Sequence, residues 1–439
     1  MRFYGREEEL EVLQQSNARS KVSSQMTVVM GRRRIGKTRM ILRSLEEEDH
    51  LYFFVSKKAE RLLCQDFLRQ IKTVYGEEPI GEVTQFQQVF QLICRIARRH
   101  HVNLVIDEFQ EFFNINSSIY SDLQRDWDLN KAEMQLNLIL CGSVQSMMNR
   151  IFLDGGEPLF GRASGILRMQ PFSLATLRKI MADHQPGYEA ADLLALYTVT
   201  GGVAQYVEWL VEAESLTRER IFDVVFSARS VFLNEGRNAL IQDLGKEYMV
   251  YFSILSLIAN GFTSRPQIES VLQTPVGGHI SRLERIYGII KRRQPAFSKA
   301  NTTIIRFHLA DHFLRFWFRF VFKYQEMVEA RNLPALRRIV ERDYKTFAGL
   351  ALEDLLREQL REQQQFTQIG NYWERGNQNE LDIVASNELD RTALIAEVKW
   401  QRKCVNLTKL ELKAEKLVRN SLKGYRVEYL ALGLEDVEV

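Results

Sequence analysis

A glycine-rich segment near the start of the chain carries the side chains best suited to chemistry. Residues 31–38 read Gly-Arg-Arg-Arg-Ile-Gly-Lys-Thr and fit the pattern G-x-x-x-x-G-K-[ST] at every fixed position. An apolar run at 26–30 predicts a strand before this segment, and residues 39–43 predict a helix after it. Backbone N–H groups at such a turn, with the positive end of the helix, surround a polyphosphate. We therefore expect ATP here, with a chance match on an ordinary turn as the alternative.

The fixed side chains of this segment, which we call the phosphate loop, have separate tasks. Lys37 is expected to reach the β- and γ-phosphates as a point charge, and the Thr38 hydroxyl is expected to bind Mg²⁺. The predicted nucleotide contacts are Gly31, Arg32, Arg33, Arg34, Ile35, Gly36, Lys37, Thr38 and Arg39. The loop thus predicts both a nucleotide and its magnesium ion.

Two adjacent acids follow the apolar run at 103–106. They supply the carboxylates that the phosphate loop itself lacks. The pattern is typical of a buried parallel strand whose carboxyl end reaches the nucleotide. Asp107 is expected to hold the Mg²⁺ shell, and Glu108 to orient and deprotonate the attacking water. A solvated turn is the alternative, and the phosphate loop upstream argues against it.

Acidic residues recur on two predicted strands near the C-terminus, at 380–385 and 393–400. Glu397 and Lys399 point to one strand face because side chains at i and i+2 share a face, and strand pairing can bring Asp382 alongside. We expect the two carboxylates to bind a second Mg²⁺ or Mn²⁺, which are hard cations. Lys399 is expected to orient the attacking water or stabilise a pentavalent phosphate.

A helix before these strands offers a further metal ligand. Glu353 lies on an apolar helix face with Leu350, Leu356 and Leu360, and a carboxylate facing a core needs a partner such as a metal. An acid followed by Glu-x-Lys on the next strand resembles the PD-(D/E)XK nuclease pattern, although Leu381 stands where that pattern has proline. A plain salt bridge and an inactive nuclease-like scaffold are the alternatives.

Strands and helices alternate through the N-terminal part of the chain. Residues 51–55 and 135–140 predict strands, and 84–99 predict a helix with Thr84 as its N-cap. Such alternation favours an α/β fold, with a parallel sheet covered by helices on both faces.

The opening Phe-Tyr-Gly-Arg-Glu and the phosphate loop together resemble the archaeal-type ATPases of the AAA+ superfamily, which are grouped with the signal-transducing NTPases. The resemblance implies that Gly5 and Arg6 lie on the adenine side of the site. It also implies that Ser143 senses the γ-phosphate and that Arg162 touches a nucleotide phosphate, with contact across a subunit boundary as one arrangement. The Gly-Gly turn at 201–202 matches the family's helical lid. An ordinary helix start, a turn serine and a surface arginine are the alternatives.

Residues 246–311 predict three short helices and a β-hairpin, which is the composition of a winged helix-turn-helix. Their charge is basic, with Lys246 at the start of the segment. The predicted DNA contacts are Arg282, Arg285, Lys291, Arg292 and Arg293. Packing against other protein is the alternative task for such a domain.

Length and composition agree with a multidomain protein. The chain has 439 residues, a formal net charge of +3 and four cysteines without C-x-x-C spacing, so we expect neither a zinc site nor a disulfide framework. The most apolar segment, 313–322, contains two arginines and is interpreted as a core helix rather than a membrane anchor. A cytoplasmic location follows as an expectation.

We divide the chain into five predicted regions. They are an AAA+ core at 1–170, a helical lid at 171–236, a winged helix-turn-helix at 246–311, linking helices at 312–345 and a restriction-endonuclease-like α/β domain at 346–439. The leading hypothesis is an ATP-hydrolysing protein that couples its nucleotide state to a DNA-directed, metal-dependent nuclease. The alternative is a signalling switch or DNA-binding regulator whose nuclease-like domain is inactive. ATP and DNA are the expected ligands, with a second copy of the chain or a partner protein as a further partner.

Overall fold

The computed structural model describes residues 2–79, 81–244, 248–299, 301–376 and 378–439. These form two compact units, Arg2–Pro171 and Phe172–Val439. The predicted start of the winged helix-turn-helix, with Lys246 in its basic set, lies outside the described residues.

The N-terminal unit is built on a parallel β-sheet, as the alternating pattern predicts. Its strands in the described residues are β1 (Gln25–Met30), β2 (His50–Phe54), β3 (Val102–Asp107), β4 (Leu136–Gly142) and β5 (Gly165–Arg168). The strand order is β2-β3-β4-β1-β5, and every pairing is parallel. The carboxyl ends of β1, β3 and β4 therefore meet at one edge of the sheet, where the predicted site residues follow.

Helices cover this sheet and bury its apolar strands. They are α1 (Glu7–Ser20), α2 (Lys37–Ser44), α3 (Glu60–Tyr75), α4 (Phe86–Ala97), α5 (Phe112–Ile115), α6 (Ile119–Asn130) and α7 (Gln145–Leu153). Helix α4 buries Phe86, Phe90 and Ile93, which recur at helical spacing. Its N-cap is Gln85 rather than the predicted Thr84, because the Gln88 side chain turns back to accept from the Gln85 backbone N–H at 3.2 Å.

The first helices of the C-terminal unit make up the region predicted as the lid. They are α8 (Leu174–His184), α9 (Ala190–Thr200), α10 (Ala204–Glu212), α11 (Arg218–Val225) and α12 (Phe232–Leu244). Helix α9 ends at Gly201, whose φ is +59°. A Cβ at Gly201 would stand 2.4 Å from Oδ1 of Asp311, so this turn requires glycine.

Three helices and a hairpin follow, in the order predicted for a winged helix-turn-helix. They are α13 (Tyr248–Ala259), α14 (Arg265–Leu272), α15 (Gly277–Arg285) and the antiparallel strands β6 (Ile290–Arg293) and β7 (Arg306–Leu309). The predicted capping box forms at α14, where the Ser264 backbone N–H donates to Gln267 Oε1 at 3.1 Å. The winged-helix assignment itself remains a prediction.

The aromatic segment after the hairpin is a core element, as predicted. Helix α16 (His312–Phe316) continues into a π-helical turn (Trp317–Val321), a 3-10 turn (Phe322–Tyr324) and α17 (Gln325–Glu329). Phe313, Phe316 and Phe318 are each at most 1% exposed. Among the helices of the described ranges, none combines the length and apolarity that crossing a membrane requires.

A long helix leads into a second, mixed sheet. Helix α18 (Leu333–Glu362) is continuous through the boundary predicted between 345 and 346, so the linker and the C-terminal domain share it. The remaining elements are β8 (Gln368–Tyr372), β9 (Leu381–Asn387), β10 (Thr392–Val398), α19 (Leu407–Asn420) and β11 (Arg426–Leu432). The sheet order is β11-β10-β9-β8, in which only the β10–β11 pairing is parallel among the described strands.

Candidate functional site

The shape of the phosphate loop depends on its two glycines. A Cβ at Gly31 would lie 2.9 Å from the carbonyl oxygen of Met169, so only glycine fits this close approach. Gly36 has a φ of +90° and precedes the first turn of α2. Arg34 also has a positive φ, of +69°. This backbone path brings the loop to the N-terminal end of α2, where unpaired N–H groups bind anions.

Lys37 lies inside the loop. Its side chain is buried, and Nζ donates to the carbonyl oxygens of Gly31 at 2.7 Å and Arg32 at 3.0 Å. Burial lowers the pKa of Lys37 from its ordinary value. A buried ammonium group that donates to carbonyl oxygens gains from an anionic partner, which a triphosphate provides.

Thr38 and Asp107 face each other across the sheet edge, as required of magnesium ligands. The Thr38 hydroxyl donates to Oδ2 of Asp107 at 2.8 Å, and the same oxygen accepts from the Tyr52 hydroxyl at 2.5 Å. Oδ1 accepts from the backbone N–H of Glu108 at 2.8 Å. One hydroxyl and one carboxylate fit Mg²⁺, which is usually held by few protein ligands and by substrate phosphates. Tyr52 is a positioning residue that sequence reasoning missed.

Glu108 is held in place by two neighbours. Its backbone has a φ of +53°, and its Oε2 accepts from the Ser143 hydroxyl at 2.7 Å and from Nε2 of Gln110. Arg33 in turn donates through Nε to the Ser143 hydroxyl at 3.2 Å. The predicted water-activating carboxylate, the predicted sensor and the phosphate loop are therefore linked by hydrogen bonds.

Gln110 was not predicted as a site residue. It is fully buried, and the sequence carries no clear signal for it, because it stands between Phe109 and Glu111. A Cβ on Gly142 would stand 2.5 Å from its Oε1, so glycine at the end of β4 makes room for this amide.

Arg6 makes hydrogen bonds to the backbone of the phosphate loop. Its Nη2 donates to the carbonyl oxygens of Ile35 at 3.2 Å and Gln170 at 2.7 Å, and Nη1 pairs with Glu9 at 3.1 Å. Burial lowers the pKa of Arg6. Gly5 precedes it with a φ of +57°. Both residues thus lie at the loop, while their role on the adenine side stays a prediction.

Arg162 and Arg39 are the two other arginines predicted to contact the nucleotide. Arg162 donates to Oδ2 of Asp128 at 3.1 Å and to the carbonyl oxygen of Phe160 at 2.9 Å. Arg39 is exposed on the first turn of α2. The nucleotide roles of both residues remain predictions.

The predicted C-terminal site residues lie on α18, on β9 and at the end of β10. Oδ2 of Asp382 on β9 accepts from the backbone N–H of Val398 at the end of β10, at 2.8 Å. Burial and then the charge of Asp382 raise the pKa of Glu353 on α18 well above its ordinary value. Burial lowers the pKa of Lys399, but the charges of Glu397, Asp382 and Glu353 raise it above its ordinary value. Four side chains from one helix and two strands therefore share one locality.

Two lysines form ion pairs with Glu397, which is one member of this acid group. Oε1 of Glu397 pairs with Lys399 at 3.1 Å, and Oε2 pairs with Lys413 of α19 at 3.3 Å. Although burial opposes ionisation, these lysines hold the pKa of Glu397 below its ordinary value. Within the described ranges, no group of three or more His, Cys, Asp or Glu side chains is arranged to hold a metal ion. Lys413 could not be predicted, because its approach depends on how α19 packs on the sheet.

The predicted DNA contacts fall into two sets. Arg282, Arg285 and Arg292 are exposed. Arg293 instead donates to both carboxylate oxygens of Asp354, and Lys291 on the same strand is partly buried.

Comparison with family models matches two parts of the chain. Residues 3–210 match an ATPase domain predominantly from Archaea. The N-terminal part of the chain is therefore similar to archaeal ATPase domains. A second match, over residues 317–416, is to a family described as archaeal and bacterial proteins of unknown function. The first matched region contains the phosphate loop and the residues hydrogen-bonded to it.

Two solved structures are similar to this chain in fold. A Walker-type ATPase of Pyrococcus abyssi is 16% identical, with a TM-score of 0.54, over 72% of this chain and 96% of that one. The ORC2 protein of Aeropyrum pernix, solved in ADPNP and ADP complexes, is 16% identical, with a TM-score of 0.50, over 74% and 94% of the two chains. At this identity the likeness shows the fold alone.

A relative is an uncharacterised protein of Methanocaldococcus jannaschii. It is 27% identical over 408 residues, which cover 91% of this chain and 88% of that protein. The similarity therefore extends over most of both chains.

Proposed function

We propose that the protein binds and hydrolyses ATP with Mg²⁺ at the phosphate loop. The observation that carries this proposal is the joining of Thr38 to Asp107, and of Ser143 to Glu108, at the edge of the sheet where the loop begins. These are the groups that a magnesium ion, a γ-phosphate and an attacking water need.

The residues of the chain divide the work of hydrolysis. Lys37 binds the β- and γ-phosphates, and Thr38 with Asp107 holds the magnesium ion, which withdraws charge from the phosphates when bound. Glu108 accepts a hydrogen bond from the attacking water and takes its proton, because its carboxylate is already fixed by Ser143 and Gln110. Arg33 connects the occupancy of the loop to this pair through Ser143.

We propose further that the C-terminal domain is a metal-dependent nuclease acting on DNA. Its element order of helix, three antiparallel strands, helix and parallel strand supports the resemblance to PD-(D/E)XK enzymes. Glu353, Asp382 and Glu397 would hold Mg²⁺ or Mn²⁺, and the metal would polarise the scissile phosphate. Lys399 would orient the water.

Contacts within the C-terminal unit support the proposed coupling of nucleotide state to the C-terminal site. Arg178 of α8 pairs with Glu362 of α18 at 3.0 Å, and Tyr344 of α18 donates to Thr198 of α9 at 3.3 Å. The helices of the predicted lid thus hold the helix that carries Glu353. A change of the lid on ATP binding would move this ligand, which couples nucleotide state to the C-terminal site.

The alternative function is a nucleotide-dependent switch or DNA-binding regulator that cuts nothing. The two lysines on Glu397 favour it, because they neutralise the carboxylate without a metal. DNA would then be bound at the exposed Arg282, Arg285 and Arg292. In either function, Arg162 is available for a nucleotide or a partner subunit once it leaves Asp128.

DNA cleavage distinguishes the two functions. Purified protein is incubated with plasmid DNA, Mn²⁺ and ATP, beside Asp382→Ala and Glu397→Ala, with the exposed Glu388→Ala as the matched control. The nuclease predicts nicking by wild type and Glu388→Ala that both other variants lose. Salt-sensitive DNA binding without products, unchanged by Asp382→Ala, would establish the switch instead.

A further inference from the structure

The hairpin β6–β7 turns two basic residues toward the protein interior. Side chains at i and i+2 share a strand face, so Lys291 and Arg293 point together while Arg292 points the other way. The burial follows this alternation, because Arg292 is exposed and its two neighbours are partly buried. His308, directly opposite Lys291 on β7, lies on the same face. This face of the hairpin is therefore packed against other elements rather than open to solvent.

Helix α18 supplies the carboxylate that meets this face. Arg293 donates through Nη2 to both oxygens of Asp354, at 2.6 and 2.8 Å, and Arg357 donates to Oδ1 at 2.7 Å. Although burial opposes ionisation, these two arginines hold the pKa of Asp354 well below its ordinary value. Asp354 is thus shared between two guanidinium groups, and its neighbour in sequence is Glu353 of the C-terminal acid group.

Positive charge is concentrated around Asp354. Lys291, Arg293, Arg315 and Arg357, which we call the basic cluster, all act on Asp354 or Glu353. Arg361 adds a further cation beside Lys291, and Asp382 adds a third carboxyl group beside Glu353. The histidines do not alter this balance at neutral pH: burial lowers the pKa of His308 to about 3 and that of His312 to about 4. Excess buried charge is costly unless an anion compensates it.

Several donors of the basic cluster lack protein acceptors. Nη1 of Arg293 and Nη1 of Arg315 are buried without a hydrogen-bond partner in the described part of the chain. Lys291 has no hydrogen bond or ion pair with a described residue, and burial lowers its pKa. Three adjacent cations with spare N–H groups fit the oxygens of a phosphate group, for which arginine is well shaped.

We propose that Lys291, Arg293 and Arg315 form a phosphate-binding site beside Glu353, so that the β6–β7 hairpin and the C-terminal domain build one composite site. The ligand is a phosphate group, either of a nucleic-acid backbone or of a free phosphate ion. The nucleic-acid backbone as ligand rests on the proposed function, whereas a free phosphate ion as ligand does not. Anion binding here does not require cleavage, a metal ion or ATP.

The test measures phosphate binding in the full chain without divalent cations. The background is Lys37→Ala, which removes the anion site of the phosphate loop. Thermal shift with inorganic phosphate and fluorescence anisotropy with a labelled DNA duplex are compared for this protein and for added Lys291→Gln, Lys291→Arg and Lys323→Gln. Lys323 is the control, because it is an exposed lysine outside the basic cluster and outside the predicted DNA contacts.

The proposal predicts opposite effects of Lys291→Gln on the free and bound protein. Removal of an uncompensated cation raises the melting temperature of the ligand-free chain, yet binding of phosphate or DNA weakens at least tenfold. Lys291→Arg restores binding, and Lys323→Gln stays within twofold. Stabilisation by inorganic phosphate identifies a free ion as ligand, and binding of DNA alone identifies the backbone.

Three results would overturn the proposal. They are unchanged binding after Lys291→Gln, equal loss after Lys323→Gln, and no response of the Lys37→Ala protein to either probe. A failure of the nuclease proposal looks different, since cleavage would be absent while binding still depended on Lys291.

Discussion

Arg293 and Asp354 stand 61 residues apart in the chain and form a two-oxygen ion pair, in which Nη2 of Arg293 lies 2.6 and 2.8 Å from the carboxylate. Their side chains are 11% and 13% exposed, so water screens the pair little. The contact ties the β6–β7 hairpin to the helix that carries Glu353. In the proposed composite site, the hairpin therefore acts together with the C-terminal acids.

Removal of the carboxylate should cost more stability than removal of the arginine. Asp354→Asn leaves several buried cations without a partner and should destabilise by about 3–5 kcal/mol. Arg293→Gln should cost less, because Arg357 still pairs with Asp354 at 2.7 Å. Urea unfolding of both variants and of the double variant measures this, with an expected coupling of about 1–3 kcal/mol. Strictly additive losses would show that the ion pair is not a stabilising contact.

Glu108→Gln should separate ATP binding from hydrolysis. The amide keeps the side-chain shape but cannot accept a proton, so turnover should fall about 100-fold or more while ATP affinity is retained. Steady-state phosphate release and nucleotide titration measure the two effects. Glu111→Gln, three residues along the chain, is the control and should keep its turnover. Wild-type turnover by Glu108→Gln would remove its assigned role.

Gln110→Met should lower turnover without weakening ATP binding. Methionine keeps the volume of the buried side chain but donates no hydrogen bond to Glu108. Loss of a positioning hydrogen bond of about 1.4 kcal/mol corresponds to roughly a tenfold fall in kcat. KM should stay within about threefold, since Gln110 contacts the carboxylate and not the phosphate loop. A changed KM with constant kcat would indicate that the amide only supports the fold.

The stability of the C-terminal unit should fall in mild acid because of its buried histidines. The pKa of His308 is lowered by burial from 6.5 to about 3, so the unfolded chain binds a proton that the folded chain excludes. Stability is therefore full above pH 6.5 and is lost as the pH falls toward 3, by at most about 1.4 kcal/mol per pH unit. His308→Gln should lose less stability than wild type between pH 6.5 and pH 4 in urea unfolding. Identical pH profiles would contradict the lowered pKa.

The nucleotide site could be predicted because its information is local. The phosphate loop, Asp107 and Glu108 follow directly from short patterns at strand ends, and the parallel sheet then brings them together. Gln110 was missed because its role depends on Gly142, on another strand. Likewise, nothing in the sequence distinguishes Arg292 from Arg293, since which face of a strand is buried depends on its packing partner.

In the C-terminal domain too, features that depend on packing between elements could not be predicted from the sequence. Strand β8 was missed because Gln-Ile-Gly-Asn-Tyr has little apolar alternation and a central glycine. The strands with Asp382 and Glu397 were predicted from their apolar residues, and the acids were notable for interrupting that pattern. The lysines that reach Glu397 from two directions required the tertiary structure.

Calorimetric titration with Mg-ATP tests the central claim most directly. Wild type and the exposed control Lys57→Ala should bind one ATP per chain with a Kd of about 1 mM or tighter, in the usual range for nucleotide enzymes. Lys37→Ala should bind at least about tenfold more weakly, because the buried ammonium no longer meets the phosphates. Equal affinity of Lys37→Ala and wild type, or no heat from wild type at millimolar Mg-ATP, would contradict the account.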